Sequence, residues 1–183
     1  SLVKLGTGTG DTQVFGNSGV QELYFGDDIT HMSFNTFSNS TKLWKIEFAG
    51  VTENFKFPSY TFDNCSALKA FSIPEGITTL PERMFSSCSS LKAVYLPSTL
   101  TTINSGSQTH ATFANCTNMY FVDKPFTFTG DSDIPAKPDV YYFPSGLTSI
   151  ASGEVFKQCR SLNKTLVFPV GVKSMSNAWA FEA

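Results

Sequence analysis

Four cysteines, two histidines and a pair of closely spaced aspartates are the residues of this chain with the chemistry to do more than pack. A zinc site would draw on Cys65, Cys88, Cys116 and Cys159, yet no two of them form a local C-x-x-C, and only His31 and His110 could complete a ligand set. A disulfide framework is the other ordinary use of four thiols in an extracellular chain. Their spacing argues against both. Each cysteine follows a Phe by three residues, and three residues after them come Leu68, Leu91, Met119 and Leu162, so all four hold one position of a recurring pattern. A column of such positions has its Cβ vectors parallel rather than facing, which is poor bridge geometry. Small buried groups, each thiol donating weakly to a backbone carbonyl where the chain turns, are the expected role.

Hydrolysis needs a nucleophile, a base and an orienting acid that converge. His31 lies between Ile29 and Met32 and reads as a solvated residue, and His110 falls in a polar insertion. Asp131 and Asp133 in GDSD could contribute to a calcium site, but the other ligands of an EF-type loop are missing. The glycines of GTGTGD, residues 6–11, have no Lys-Ser/Thr tail and no following amphipathic helix, so a turn rather than a phosphate loop is expected. Sequons occur at Asn39, Asn64, Asn115 and Asn163, two of them because the repeat itself places Asn before Cys. No catalytic residue, cofactor or metal is assigned.

The pattern that fixes the cysteines is clearest between residues 61 and 103, where TFDNCSALKAFSIPEGITTL is followed at an offset of 23 residues by MFSSCSSLKAVYLPSTLTTI. Phe62 falls on Phe85, Cys65 on Cys88, Leu68 on Leu91, Phe71 on Val94, Pro74 on Pro97 and Leu80 on Ile103. Self-similarity at such a period marks a solenoid, in which one repeat buries its apolar side only against the next. Positions 6, 26, 49, 74, 97, 125, 144 and 169 close successive main strands on this template, giving seven or eight strands. Gly6 would close a partial first coil, Ser40 replaces the thiol in the coil of Phe37, and residues 103–113 carry a five-residue polar gain. Between 124 and 139 the pattern decays around Pro125, Pro135 and Pro138, where a shortened or irregular coil is expected. Pro81 in PERMFSSC, at a helix-opening position, suggests one turn of helix. The GITTL stretch suggests a second short extended segment. Phe15, Phe37, Phe62, Phe85, Phe113, Phe156 and Phe181 should form an aromatic spine.

Composition agrees with a packed chain. Of 183 residues, 18 are Phe and 15% are charged, with a net charge of −2, so there is no basic field for nucleic acid or anionic lipid. No apolar run approaches a membrane span, and export would require a signal already removed.

The residues F-x-x-C-x-x-L-x-x-[FV]-x-[IL]-P-x-x-[IL], read from Phe62 onward, resemble the BspA-type leucine-rich repeat. The resemblance implies one domain over 1–183: a curved right-handed solenoid of about seven coils, parallel strands on the concave face, helical or irregular segments on the convex side, and an incomplete coil at the C-terminus. It also implies a secreted or cell-surface, non-enzymatic adhesion module that binds a host or neighbouring-cell protein. A glycan-binding module is the alternative, favoured if Trp44, Tyr95 or Tyr142 forms an open aromatic platform. A hydrolase is disfavoured by the lack of a convergent triad.

Strand alternation gives the outward positions of the concave sheet as Glu22 and Tyr24, Lys45 and Glu47, Ala70 and Ser72, Ala93 and Tyr95, Phe121 and Asp123, Val140 and Tyr142, Thr165 and Val167. The binding candidates among them are Tyr24, Lys45, Glu47, Tyr95, Phe121, Asp123 and Tyr142, with Tyr95, Phe121 and Tyr142 as the expected patch. The same aromatics could instead pack across neighbouring strands and stiffen the sheet.

Overall fold

The computed structural model describes residues 3–5, 14–26, 29–52, 54–104, 111–150 and 154–175. His110 and Phe181 lie outside them. The chain winds as a parallel solenoid of about six turns. Main strands are β2 (Glu22–Phe25), β4 (Lys45–Phe48), β5 (Ala70–Ser72), β7 (Ala93–Tyr95), β9 (Tyr120–Val122), β10 (Val140–Tyr142) and β12 (Thr165–Val167). They pair in register as β2–β4, β5–β7–β9 and β10–β12, all parallel. Opposite them run β1 (Val3–Leu5), β3 (Ile29–Met32), β6 (Thr79–Leu80), β8 (Thr102–Ile103), β11 (Ser149–Ile150) and β13 (Ser174–Met175), the last four in one sheet. These are the extended segments expected of GITTL. β1 pairs with β3, so Val3–Leu5 is a strand of this second set and does not close a main strand at Gly6 as expected.

Four of the five proline markers, all but Pro125, work as the first residue of a turn. Ile77, Leu100, Leu147 and Val172 donate their N–H groups to the carbonyls of Pro74, Pro97, Pro144 and Pro169 at 2.9–3.4 Å, which ends the strand and sends the chain to the opposite side. The other corner is set by the phenylalanines. Phe15, Phe37, Phe62, Phe85, Phe113 and Phe156 stack face to face, successive centroids 5.3–5.8 Å apart. Two residues after each stands a residue in the left-handed region: Asn17, Asn39, Asn64, Ser87, Asn115 and Gln158, φ 57–64°. Asparagine tolerates that conformation best among non-glycine residues, which explains the Asn of three of the four sequons without reference to sugar. Asn64 Nδ2 also donates to Asn39 Oδ1 at 2.9 Å.

The thiols do what their spacing predicts. Cys65, Cys88, Cys116 and Cys159 are buried, unbridged, and donate to the carbonyls of Phe37, Phe62, Phe85 and Phe113, one coil back, at 2.9–3.1 Å. Ser40 substitutes by donating its hydroxyl to Phe15 O at 2.5 Å. Burial pushes all four thiols up, Cys65 and Cys159 to about 12, so they remain neutral donors.

Three local expectations change. The helical turn expected around residues 81–88 is a pair of turns with Arg83 and Ser87 both left-handed, φ 51° and 62°, and among the described residues the one helical element is a 3-10 turn at Asp131–Asp133. β9 is shifted by one residue: Met119 to Phe121 is one residue shorter than Leu68 to Phe71, so Phe121 pairs with Val94 and faces the core. Residues 123–139 form no coil. They connect β9 to β10 by folding back over the concave face, and the second-sheet strands β8 and β11 pair directly behind them. Among the described residues the concave side therefore has one strand more than the phenylalanine column.

Candidate functional site

The segment 123–139 is a strap that divides the concave face. Beneath it, the outward residues Ala70 and Ala93 are small and buried, and with Tyr95, Val122 and Phe128 they form a hydrophobic cluster separate from the solenoid core. Trp44, Tyr120, Phe126 and Ile134 border that cluster. The edge of Phe128 meets Trp44 at a centroid distance of 5.7 Å. Side chains of the sheet hold the strap's backbone: Phe128 N–H donates to Glu47 Oε1 at 3.1 Å, Phe126 N–H to Ser72 Oγ at 3.4 Å, and Tyr120 Oη donates to Pro135 O at 2.8 Å. Lys69 Nζ closes the loop on Asp131 Oδ1 at 2.7 Å while lying 5.6 Å from the Trp44 ring centre. The hydrogen bond from Lys69 holds the Asp131 carboxyl below the usual range. Asp133 accepts from Thr129 N–H at 2.9 Å and so caps the strap's own turn. Asp131 and Asp133 thus serve the strap, and among the described residues no three His, Cys, Asp or Glu side chains converge on a metal position.

On either side of the strap the outward residues are large and open. Tyr24 is 61% exposed on β2 and Tyr142 65% exposed on β10, with Val140 beside it. Tyr24 Oη donates to Glu22 Oε2 at 3.0 Å, and Lys45 Nζ lies 4.8 Å from its ring centre and 3.8 Å from Glu47 Oε1. Lys45, only 4% exposed, is held above its ordinary value by the Tyr24 side chain, against its own burial, with Glu47 and Glu22 adding to the effect. A cleft of about 740 Å³ opens between the strap and the ends of β2, β4 and β5, lined in part by Tyr24, Glu47, Ser72, Glu75, Tyr95 and Phe126. Within it Tyr95 Oη donates to Glu75 Oε1 at 2.6 Å, and Ser98 donates to Glu75 through both its N–H and its hydroxyl. Burial and then this carboxylate push the Tyr95 phenol up to about 12. Burial works against the Glu75 carboxylate, but the Tyr95 and Ser98 donors outweigh it and hold its pKa below the ordinary value.

Of the seven expected binding residues, Tyr24, Glu47 and Tyr142 line the open concave face, Lys45 is buried between Tyr24 and Glu47, and Asp123 is exposed just past β9. Tyr95 is 8% exposed, covered beside the strap, and Phe121, 1% exposed, is a core residue that cannot contribute to a surface patch. The expected trio of Tyr95, Phe121 and Tyr142 therefore does not form one surface. Of the three aromatics named for the glycan alternative, Trp44 is half-buried against Phe128 and Tyr95 is covered, while Tyr142 stays open. His31 is an exposed residue of β3, paired across the sheet with Lys4. The residues that sequence reasoning missed are Phe126 and Phe128. Their signal was present as Phe-Thr-Phe alternation between Pro125 and Pro135 with no cysteine position attached, the mark of an extended segment outside the coil register.

The sequence pattern of the BspA type Leucine rich repeat region matches residues 11–120 in six copies. The chain belongs to this family. Leucine-rich repeats of this kind are protein-binding modules, typically non-enzymatic. Among solved structures, the chain is similar to a T. pallidum leucine-rich repeat protein at 18% identity and a TM-score of 0.56, over 87% of this chain and 64% of that one. A leucine-rich repeat protein from Bacteroides ovatus matches at 20% identity and a TM-score of 0.44, over 82% and 46% of the two chains. A leucine rich cell surface protein from Faecalibacterium prausnitzii matches at 17% and 0.41, over 85% and 50%. The chain thus spans between about half and two thirds of these relatives. No curated protein matches its sequence. No helix among the described residues is long and apolar enough to cross a membrane.

Proposed function

We propose that the chain is a non-enzymatic recognition module of a secreted or cell-surface protein, and that it attaches to a host or neighbouring-cell protein through the open parts of its concave face. The observation that carries this reading is the contrast along one row of equivalent strand positions: Tyr24 and Tyr142 stay more than half exposed, whereas Tyr95 of the same row is covered beside the strap. Exposed aromatics on rigid strands are the usual anchors of protein recognition, because they bring large contact area at little cost in conformational entropy. Glu22 and Glu47 beside Tyr24 add charge that would select among partners.

The test is capture of host matrix and surface proteins by the purified chain, repeated with Tyr24→Ser/Tyr142→Ser. The double variant should keep its circular dichroism and lose its specific partners. Retention of every partner by the folded double variant would show that recognition uses another surface.

A further inference from the structure

The strap lies on the concave face as a bound peptide would. It runs without strand pairing through 125–128, ahead of the 3-10 turn at Asp131–Asp133, and places Phe128 against Trp44 over a floor of alanines. Phe126 borders the same cluster, and Asp131 meets Lys69. Its hydrogen bonds to the concave strands go through the side chains of Glu47, Ser72 and Tyr120, so the strap adds no strand to the sheet and leaves the β5–β7–β9 ladder intact beneath it. Its hydrophobic cluster is separate from the phenylalanine core. A face hollowed to Ala70 and Ala93 and provided with an aromatic wall and a lysine is shaped for this kind of chain, whichever molecule supplies it.

We infer that the concave surface over β4, β5 and β7 is a groove for an extended peptide bearing two aromatic residues two positions apart and a carboxylate three positions after the second, and that the strap occupies this groove in cis. The inference rests on the reading of the concave face as the recognition surface and names a partner class for its covered middle. An outside peptide of this pattern competes with a tethered one, whose effective concentration is on the order of millimolar for a short flexible tether. The closed strap therefore sets a threshold: only a partner with several such segments, or a tighter one, displaces it. Aromatic anchors in pockets with one fixing charge are a common way to read an extended segment.

The experiment uses the full chain and a labelled peptide of residues 124–136, KPFTFTGDSDIPA, read by fluorescence anisotropy. Two opened variants are made: Phe126→Ser/Phe128→Ser/Asp131→Ser, and replacement of 125–136 by a Gly-Ser segment of equal length. Both should keep a single cooperative unfolding transition and bind the peptide at least about ten-fold more tightly than the unaltered chain. The peptide with serine for both phenylalanines should not bind, and Lys69→Glu added to an opened variant should weaken binding. Folded opened variants that bind the peptide no better than the unaltered chain would overturn the inference. Pairing of the vacated face with a second copy would do the same, as would loss of the solenoid in both variants, since a face occupied in cis survives being vacated. None of these readouts involves Tyr24, Tyr142 or a captured partner. Peptide failure with partner capture intact therefore removes only this inference, and the converse removes only the proposed function.

Discussion

β5 and β7 each bury residues on both faces, by different means. Inward, Phe71 and Val94 join a core in which Phe62 and Phe85 stack at 5.4 Å and the phenylalanine and cysteine positions recur in the coils on both sides. Outward, Ala70 and Ala93 are covered by a cluster assembled from Phe126, Phe128 and Ile134, of a segment with no counterpart among the described residues. The inner cluster is held from both sides by neighbouring repeats, whereas the outer one is held by a single loop. Loss of an inner residue should spread along the solenoid, and loss of an outer one should stay local.

The largest effect is expected from Phe85→Ala, which removes the ring between Phe62 and Phe113 at 5.4 and 5.5 Å. It should cost about 3–5 kcal/mol in urea unfolding and raise hydrogen exchange in the coils on both sides. Unchanged exchange in one of those coils would mean that the inner cluster is less continuous than the stacking indicates.

Phe128→Ala should cost less, about 2 kcal/mol, because it empties a small cluster at the edge of the fold. Its exchange should rise across 123–139 while the cysteine-bearing turns stay protected. A global loss of protection would erase the distinction between the two clusters.

The smallest effect concerns Tyr95. Its phenol ionises near 12 in the folded chain against an ordinary 10, so the folded state retains the proton longer than the unfolded one. The stabilisation is complete below pH about 10 and is lost as pH rises from there through about 12. Tyrosine absorbance during an alkaline titration should show phenols ionising late, one of them near 12, and Tyr95→Phe should remove that group. Disappearance of the late group on mutation of Tyr141 alone would assign it there instead, where burial also raises the phenol.

Much of the inner architecture was readable without coordinates because a solenoid converts period into position. Once Phe62 and Phe85 share a place, Cys65 and Cys88 share one too, and the hydrogen bond from each thiol to the preceding coil's Phe carbonyl follows from stacking. The same template failed at β9, where a deletion of one residue between Met119 and Phe121 exchanges the two faces of the strand, since side chains alternate with a period of two. It also failed from 123 to 139, since a segment outside the repeat has no neighbour whose place it can inherit. The turns around Phe85 read as helix because Pro81 opens helices readily, yet Arg83 and Ser87 take left-handed conformations that the coil-to-coil hydrogen bonds impose.

By itself the sequence determined the parallel stack, its phenylalanine column, the buried donor thiols and the positions where most of the main strands end, because all of these depend on relations between residues one period apart. Only the tertiary structure decided which outward residues are open. Whether Tyr95 or Tyr142 meets solvent depends on where the strap comes to rest, and that is set by contacts such as Phe128 on Trp44 and Asp131 on Lys69, between residues far apart in the chain and unrelated by its repeat.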